Sequence, residues 1–539
     1  MSRVLRGKPW SKDGSDHEDE KEGDSECGQR LGFALCQKLA RRSSRDREGR
    51  SRTRDFGRVH SHRMQAKEVI RKLLTVWKGS IARCPQSNGK MRDYRLRESG
   101  EQRLRISPPA RLRILIYGIN YSPELTGVGK YTGEMAAWLA ARGHEIRVIT
   151  APPYYPAWKV REDYRGKWYR TELPKVPGAP TVYRTPLYVP REPSGARRML
   201  HLFSFMVGSI PVMMKQHSWK PDLIWTVEPT FFGAPLALLL ARTTQAASWL
   251  HVQDFEVDAA FDLGLLPSNG RVQSFALRLE RVFTDAFSRV SSISGKMVER
   301  SLAKGVSPIQ SRLFPNWVDV DVIRPQAAGS QNSFRRELGL EGKIILLYSG
   351  NMGAKQGLEL LVPLAAAFED DPRVHFLFCG EGSFRSMFEG MVAHRPNVTL
   401  IDIQPMERLN DLLNAADIHL LPQRPGAADL VMPSKLTGML SSGRPVVAIA
   451  EPGTQVAHVV GGSDALDIDP CGLVVQAHDP TELQKAARCL IDSPTLRSKF
   501  GAAARRYAVR HLGREQVLAR FEQELLSLIR EPEPVIQVN

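Results

Sequence analysis

Residues Asp429–Val447, DLVMPSKLTGMLSSGRPVV, are the stretch from which the fold is read. Pro433 fixes φ at a value that suits a first helical turn, Ser434 offers a hydroxyl beside it, and Gly443 stops what Pro433 begins. The run Pro445 to Ile449 is then short and apolar, as a strand buried on both faces reads. Loop, short helix, turn and buried strand make one β/α unit. The first amides of a helix lack internal partners and carry the positive end of its dipole. The turn Val431 to Leu436 is therefore a place for a phosphate, with Lys435 adding a full charge. The same residues also suit an ordinary β/α unit whose lysine faces water, so the surroundings must decide.

Working outward, this unit is one of a series. Lys343–Tyr348, Val374–Cys379, Val398–Ile401 and Ile418–Leu421 are short apolar runs upstream of it, and Leu473–Val475 follows. A second series lies earlier. Arg113–Gly118, RILIYG, leads through the loop Ile119–Gly129 into a helical pattern from Tyr131 to Arg142, closed by Gly143. Ile146–Thr150, Asp222–Val227, Ser248–Gln253 and Arg289–Ile293 continue it, with helical patterns near 232–242 and 271–287. Alternation of this kind argues for parallel sheets covered on both faces. The expected organisation is a basic, mostly disordered extension (1–110), a first Rossmann-like domain (111–321), a Pro-, Ala- and Gly-rich linker (322–333), a second Rossmann-like domain (334–530) and a tail (531–539). The last helix is expected over Arg514–Ile529.

With 539 residues, 42% of them hydrophobic, the chain can build two large cores. Its six cysteines are scattered, with no CxxC pair and no Cys/His cluster, so neither a disulfide framework nor a zinc site is expected, and a reduced cytoplasm fits. Most of the net charge of +17 lies before residue 111. That region, with acidic runs such as Asp13–Glu26 and one short helix near Glu68–Trp77, has too little apolar surface to offset ordering entropy. It lacks aromatics interleaved on a folded face, so no nucleic acid is expected; translation starting downstream, at Met64 or Met91, would account for it equally. No run reaches the roughly 18 apolar residues of a membrane span, and the N-terminus has no signal-peptide core. The Pro- and aromatic-rich insert Pro152–Pro193 is followed by the interrupted apolar run Leu200–Met214, flanked by Arg191, Arg197, Arg198 and Lys215. Such a run reads as a helix lying on an anionic membrane surface or as a buried helix of the first domain.

In open parallel sheets ligands bind beyond the carboxyl ends of strands. Four loops there are informative. Ser349–Gly357, SGNMGAKQG, combines glycines with Lys355; Gly380-Glu381-Gly382 follows Cys379; Asp429–Lys435 follows Ile418–Leu421; and Thr126-Gly127-Val128-Gly129 opens the first helix. None is GxGxxG or GxxxxGK[ST], which disfavours a Rossmann dehydrogenase. Together they suit a diphosphate held by helix-start amides, Lys355 and Lys435 with no metal. Asp319-Val320-Asp321 is set aside as a metal-binding DxD because it sits beside the linker. Alternation puts His251 and Gln253 on one face of the strand Ser248–Gln253 and Asp254 at its exit, where a carboxylate steadies positive charge or caps the next helix.

These residues resemble retaining glycosyltransferases of family 4, most closely the subgroup linked to colanic-acid-type exopolysaccharide. The resemblance runs from about Arg113 to Phe521 through ILIYGINYSPELTGVGKYTGEMAAWLAARGHE, VITAPPYYPAW, WLHVQDFEVDAAF, FPNWVD, LYSGNMGAKQGLE, ADIHLLPQ, DLVMPSKLTGML and SGRPVV. It implies the GT-B fold, two opposed Rossmann-like domains around a cleft. It also implies transfer of a hexosyl-type sugar, with retention, from a nucleoside-diphosphate sugar to a polyprenyl-diphosphate-linked or polysaccharide acceptor, without metal or other cofactor. The expected place is the inner face of the plasma membrane. By position, Lys355 matches the family's diphosphate lysine, Gly127 and Gly129 its glycine loop, and Asp254 the residue beside the transferred sugar, with His251 the second catalytic candidate. Asn351, Gln356, Glu381, Pro433, Ser434, Lys435 and Leu436 complete the donor side. Two departures stand out: Asn351 replaces a frequent arginine, and Leu430 and Gly438 stand where a pair of glutamates is usual. A catalytically inactive scaffold in the same pathway is the alternative they suggest.

Overall fold

The computed structural model describes residues 111–530 apart from 125–126, 192–194, 230, 256–257, 259–269, 327–330, 354–355, 425–432 and 478. Two sheets organise them. The first contains β1 Arg113–Tyr117, β2 Glu145–Thr150, β3 Arg170–Glu172, β4 Thr181–Arg184, β5 Leu223–Glu228, β6 Ala247–Val252, β7 Arg289–Ser292 and β8 Ser311–Leu313, in the spatial order β3-β4-β2-β1-β5-β6-β7-β8. Only the β3–β4 pair is antiparallel. The second contains β9 Ile344–Ser349, β10 Val374–Cys379, β11 Val398–Ile401, β12 Ile418–Pro422, β13 Val446–Ile449 and β14 Gly472–Val475, ordered β11-β10-β9-β12-β13-β14 and parallel throughout. The continuous apolar runs have their reason here. Every residue of β5, β10, β12 and β13 is buried, because helices cover both faces of a parallel sheet.

Strand order reverses at β1, which lies between β2 and β5, and again at β9, between β10 and β12. At each reversal the loops leaving adjacent strands part to opposite faces and open a crevice at the carboxyl ends. The fold is thus GT-B: two Rossmann-like halves, each with its own crevice.

Three strands lie outside the expected set. β3 and β4 sit in the Pro- and aromatic-rich insert and β8 is three residues long, too short for alternation to register. Helix Gly127–Ala141 begins ahead of the expected Tyr131. Helix Lys435–Ser441 begins after Pro433, because the Pro433 carbonyl accepts the Leu436 amide at 3.0 Å in a tighter three-residue turn. Helix Gly195–Trp219 buries His201, Leu202, Phe205, Ser209, Val212 and Met213 against the first sheet.

The helix Arg514–Arg530 follows the second half in sequence but packs on the first. Val517, Leu518, Phe521 and Leu525 join the core formed by β1, β2, β5 and the helix Gly127–Ala141. Phe521 meets Trp225 edge-on at 4.6 Å and stacks on Phe314 at 4.4 Å. Polar contacts fix the helix at its rim: Glu515 accepts from the Trp138 indole, Glu522 from Arg142 and His144, and Glu524 from Arg312. Where the chain crosses back, the Val318 amide donates to the Leu512 carbonyl at 2.8 Å and the Arg514 amide to the Val318 carbonyl at 2.9 Å.

Candidate active site

On the first half, the loop after β1 is built around a carboxylate that sequence reasoning passed over. Glu124 is buried; it accepts the Tyr154 and Tyr155 amides at 3.1 and 3.0 Å and the Asn120 amide at 2.9 Å. Burial raises its pKa, and the three donors oppose that rise. Gly129 is what lets the helix start lie over it, since a Cβ there would sit 2.7 Å from Glu124 Oε2. Gly127, at φ +60°, begins the same helix. The only sequence signal for Glu124 was the pair of nearby glycines, which ask for a close neighbour without naming it.

Asp254 lies at the exit of β6, and its negative charge is felt by the Tyr155 hydroxyl, whose pKa is raised first by burial, then by Asp254 and Glu124, against Arg198. The β6 exit and the loop bearing Tyr155 therefore lie near one another. His251 is elsewhere. Its ring is buried between Trp225, stacked at 5.2 Å, and Phe314, edge-on at 5.2 Å. Its Nδ1 lies 2.9 Å from Ser291 Oγ, and its Nε2 accepts the Gln253 amide at 3.1 Å. Burial lowers its pKa to about 3, so the ring is neutral at physiological pH. Gln253 in turn exchanges amide hydrogen bonds with Asn316, and Trp249 donates to Ser291 Oγ. The result is a polar ladder from the sheet interior to the loop that carries Asp254.

On the second half, the β9/β12 crevice brings Lys435 and Gln356 together. Lys435 Nζ donates to Gln356 Oε1 and Tyr348 Oη, each at 3.0 Å, and lies 4.2 Å above the centre of the Tyr348 ring. Both hydrogen-bond partners are neutral, and burial pulls the ammonium down to about 7. The full charge expected at Lys435 is therefore only partly present at pH 7. Asn351 is exposed, and its carbonyl accepts from Tyr348 Oη at 2.6 Å. The loops after β9 and β10 lie backbone against backbone: a Cβ at Gly380 would fall 1.9 Å from the Gly350 oxygen and one at Gly382 2.5 Å from the Met352 carbonyl. Met352 donates its amide to Glu381 O at 2.8 Å, leaving the Glu381 carboxylate exposed beside Arg385. Pro433 and the exposed Ser434 precede the helix, and Leu436 is buried beneath it. Lys355 lies outside the described residues, as does Leu430. Gly438 is described; a Cβ there would lie 3.2 Å from Leu413 Cδ1.

The two halves meet. On the helix that begins at the glycine loop, burial raises the Tyr131 hydroxyl, and the Thr437 side chain on the Lys435 helix opposes that rise. Gln455 Oε1 accepts the Lys296 amide at 3.2 Å across the halves. The first half thus presents a buried carboxylate, Asp254 and tyrosines at its crevice, and the second a tunable ammonium with glycine loops at its own.

Residues 126–317 match the family described as Glycosyl transferase 4-like domain, and residues 330–507 that described as Glycosyl transferases group 1. The chain is 42% identical over 421 residues to the Escherichia coli K12 protein assigned to colanic acid biosynthesis as the glycosyl transferase WcaI, covering 77% of this chain and 100% of that one. It is 27% identical to a D-inositol 3-phosphate glycosyltransferase of Thermomonospora curvata, over 76% of this chain and 94% of that one. Among solved structures, the sucrose-phosphate synthase of Thermosynechococcus elongatus shares the fold at a TM-score of 0.59 and 19% identity, over 78% of this chain and 99% of that one. The Anabaena protein HepE in complex with UDP does so at 0.55 and 13%, over 77% and 100%.

Proposed function

Starting from the fact that the chain belongs to the two-domain GT-B glycosyltransferases, we propose that it transfers a hexosyl-type sugar from a nucleoside-diphosphate sugar to a polyprenyl-diphosphate-linked saccharide. Anomeric configuration is retained, and the work is done at the inner face of the plasma membrane during surface-polysaccharide synthesis. The observation that carries this is the Lys435 ammonium in the β9/β12 crevice, which among the described residues donates at 3.0 Å only to the neutral Gln356 and Tyr348 side chains, where a diphosphate would supply the opposing charge. The likeness to WcaI supports the pathway, and the UDP complex of HepE supports the donor class.

In the reaction so proposed, the acceptor hydroxyl approaches the anomeric carbon on the face from which the diphosphate leaves. The bond from carbon to diphosphate oxygen breaks, the bond to the acceptor oxygen forms, and the hydroxyl proton passes to the departing diphosphate. The intervening state is oxocarbenium-like; Asp254 and the diphosphate steady its charge, while Lys435, Lys355 and the glycine-loop amides steady the anion. No metal is needed in this scheme. His251 is a positioning residue acting through Gln253. Gln356 holds the Lys435 ammonium, and Glu381 lies beside the base. Asn351 and Gly438 leave the nucleotide without the arginine and ribose-binding glutamate usual in the family, so other groups recognise it.

The test incubates purified protein with GDP-, UDP- and dTDP-sugars and a membrane extract containing polyprenyl-diphosphate acceptors, and measures nucleoside diphosphate release. Release with one donor, dependent on extract and abolished in Asp254→Ala, is the expected result. A folded protein that releases nothing from any donor is the scaffold suggested by Leu430 and Gly438.

A further inference from the structure

Helix Gly195–Trp219 has two apolar faces. Successive residues turn by about 100° around a helix, so the buried side chains His201, Leu202, Phe205, Ser209, Val212 and Met213 form one stripe. Leu200, Phe203, Val207, Pro211 and Met214 repeat the same three-and-four spacing on the opposite side, and all five are exposed. Met214 is 69% exposed and Val207 46%. A helix that only closed a core would carry polar residues there. In 25 residues this one carries no Asp or Glu, while Arg197 and Lys215 are exposed along one flank of the outer stripe.

The aromatic insert extends that flank. Tyr169 Oη donates to the Gly208 carbonyl at 3.0 Å, which sets the neighbouring Trp168, 76% exposed, beside the helix. Tyr188, also exposed, donates its amide to Ser204 Oγ at 2.9 Å. Aliphatic side chains flanked by Trp, Tyr and basic residues are the composition that settles at the boundary between headgroups and acyl chains.

We propose that this outer face, with Trp168 at its edge, is where the protein lies on an anionic lipid surface. Charge selects this occupant over a second copy, because two such faces packed together would set Arg197 and Lys215 near their own counterparts with no carboxylate from the helix between them. Among the described residues no helix is long and apolar enough to cross a membrane, so the attachment is lateral. Docking has a consequence for the site. On the helix's inner side His201 binds the Tyr188 carbonyl at 2.6 Å and the Tyr154 hydroxyl at 3.1 Å, and the Tyr154 amide is held by Glu124. The helix laid on lipid is therefore tied to the loop that lies near Asp254, which turns that loop toward a lipid-linked acceptor. This last step rests on the proposed acceptor; the docking does not.

The experiment is sedimentation of the full chain with phosphatidylcholine vesicles containing none or about one third phosphatidylglycerol, comparing wild type with the double substitution Val207→Glu/Met214→Glu and with Trp168→Ser. Both changes lie on exposed side chains, and thermal melting checks that the fold is kept. The expected result is partition of wild type onto the anionic vesicles, at least tenfold less for the double variant and an intermediate loss for Trp168→Ser, with donor binding unchanged. Equal partition of wild type and double variant overturns the proposal and assigns binding to the basic extension. Absence of wild-type partition overturns it outright, and so does a wild-type dimer that the double variant dissociates. Vesicle binding without any sugar transfer leaves the docking standing and removes the acceptor reading instead.

Discussion

Lys435 is the residue whose state most depends on what it meets. Its ammonium, pulled down to about 7 by burial beside two neutral partners, gives up its proton in the folded protein well below the ordinary lysine range. A diphosphate placed against it restores the charge, so donor binding at pH 8 takes up about one proton. Calorimetry in two buffers of different ionisation enthalpy measures that uptake; Lys435→Met is expected to show none and to bind the donor roughly ten- to a hundredfold more weakly. Asp254 carries a different expectation. Asp254→Asn keeps the shape and removes the charge, so turnover drops by about a hundredfold or more while donor affinity changes little, read from steady-state kinetics against direct binding. His251 shows what alternation along a strand leaves open. The pattern placed it on a face with Gln253, correctly, but it carries no information on whether that face is covered, and Trp225 and Phe314 cover it.

At the scale of elements, the two glycine loops of the second half act as a single unit. A methyl group on Gly380 would meet the Gly350 oxygen, and neither backbone can move without disturbing a strand end. Gly380→Ala is expected to destabilise the protein by about 1–3 kcal/mol and to weaken donor binding with it, measured by denaturant unfolding and nucleotide titration. Elements buried on both faces were the legible ones: β10 falls on the expected residues, and β12 and β13 start or end one residue from theirs, because a continuous apolar run with turn residues at either end admits few other readings. The hairpin of β3 and β4 was not legible, because its strands are short and held by a neighbour rather than by their own pattern. Arg184, buried in β4, donates to Glu172 and to the Ala151 and Ser122 carbonyls, partners that no local spacing announces. The helix Gly195–Trp219 lay between; its length of apolar residues was evident, but two stripes at the same spacing blur into one hydrophobic run when read in line.

For the whole molecule, the contact most exposed to a single change is the buried pair of His144, just ahead of β2, and Glu522, on the helix Arg514–Arg530, 3.0 Å apart. Glu522→Ala leaves His144 and Arg142 without their acceptor and is expected to cost about 3 kcal/mol, seen as a lower denaturation midpoint. A second global expectation concerns acid. His251 and His419 are both held near 3 by burial, against about 6.5 in an unfolded chain. The unfolded state therefore binds more protons throughout that window, and stability falls as pH drops from about 6.5 toward 3. Unfolding measured across that range is expected to steepen in the wild type and to flatten in His419→Gln. An amphipathic face on Arg514–Arg530 was visible in the sequence, but a face names no partner. Only the closing of the first sheet's core by Phe521 does that.

That closing sets an order in time. During synthesis the strands of the first sheet leave the ribosome before the second half, while the helix that seals Trp225, Trp249 and Phe314 is made after it. Until it emerges, the first half carries an open aromatic cleft, and a truncated chain ending before Arg514 keeps that cleft for good. The helix Arg514–Arg530 is thus the fastening of the first half, and premature termination anywhere in the second half is a folding lesion of the first.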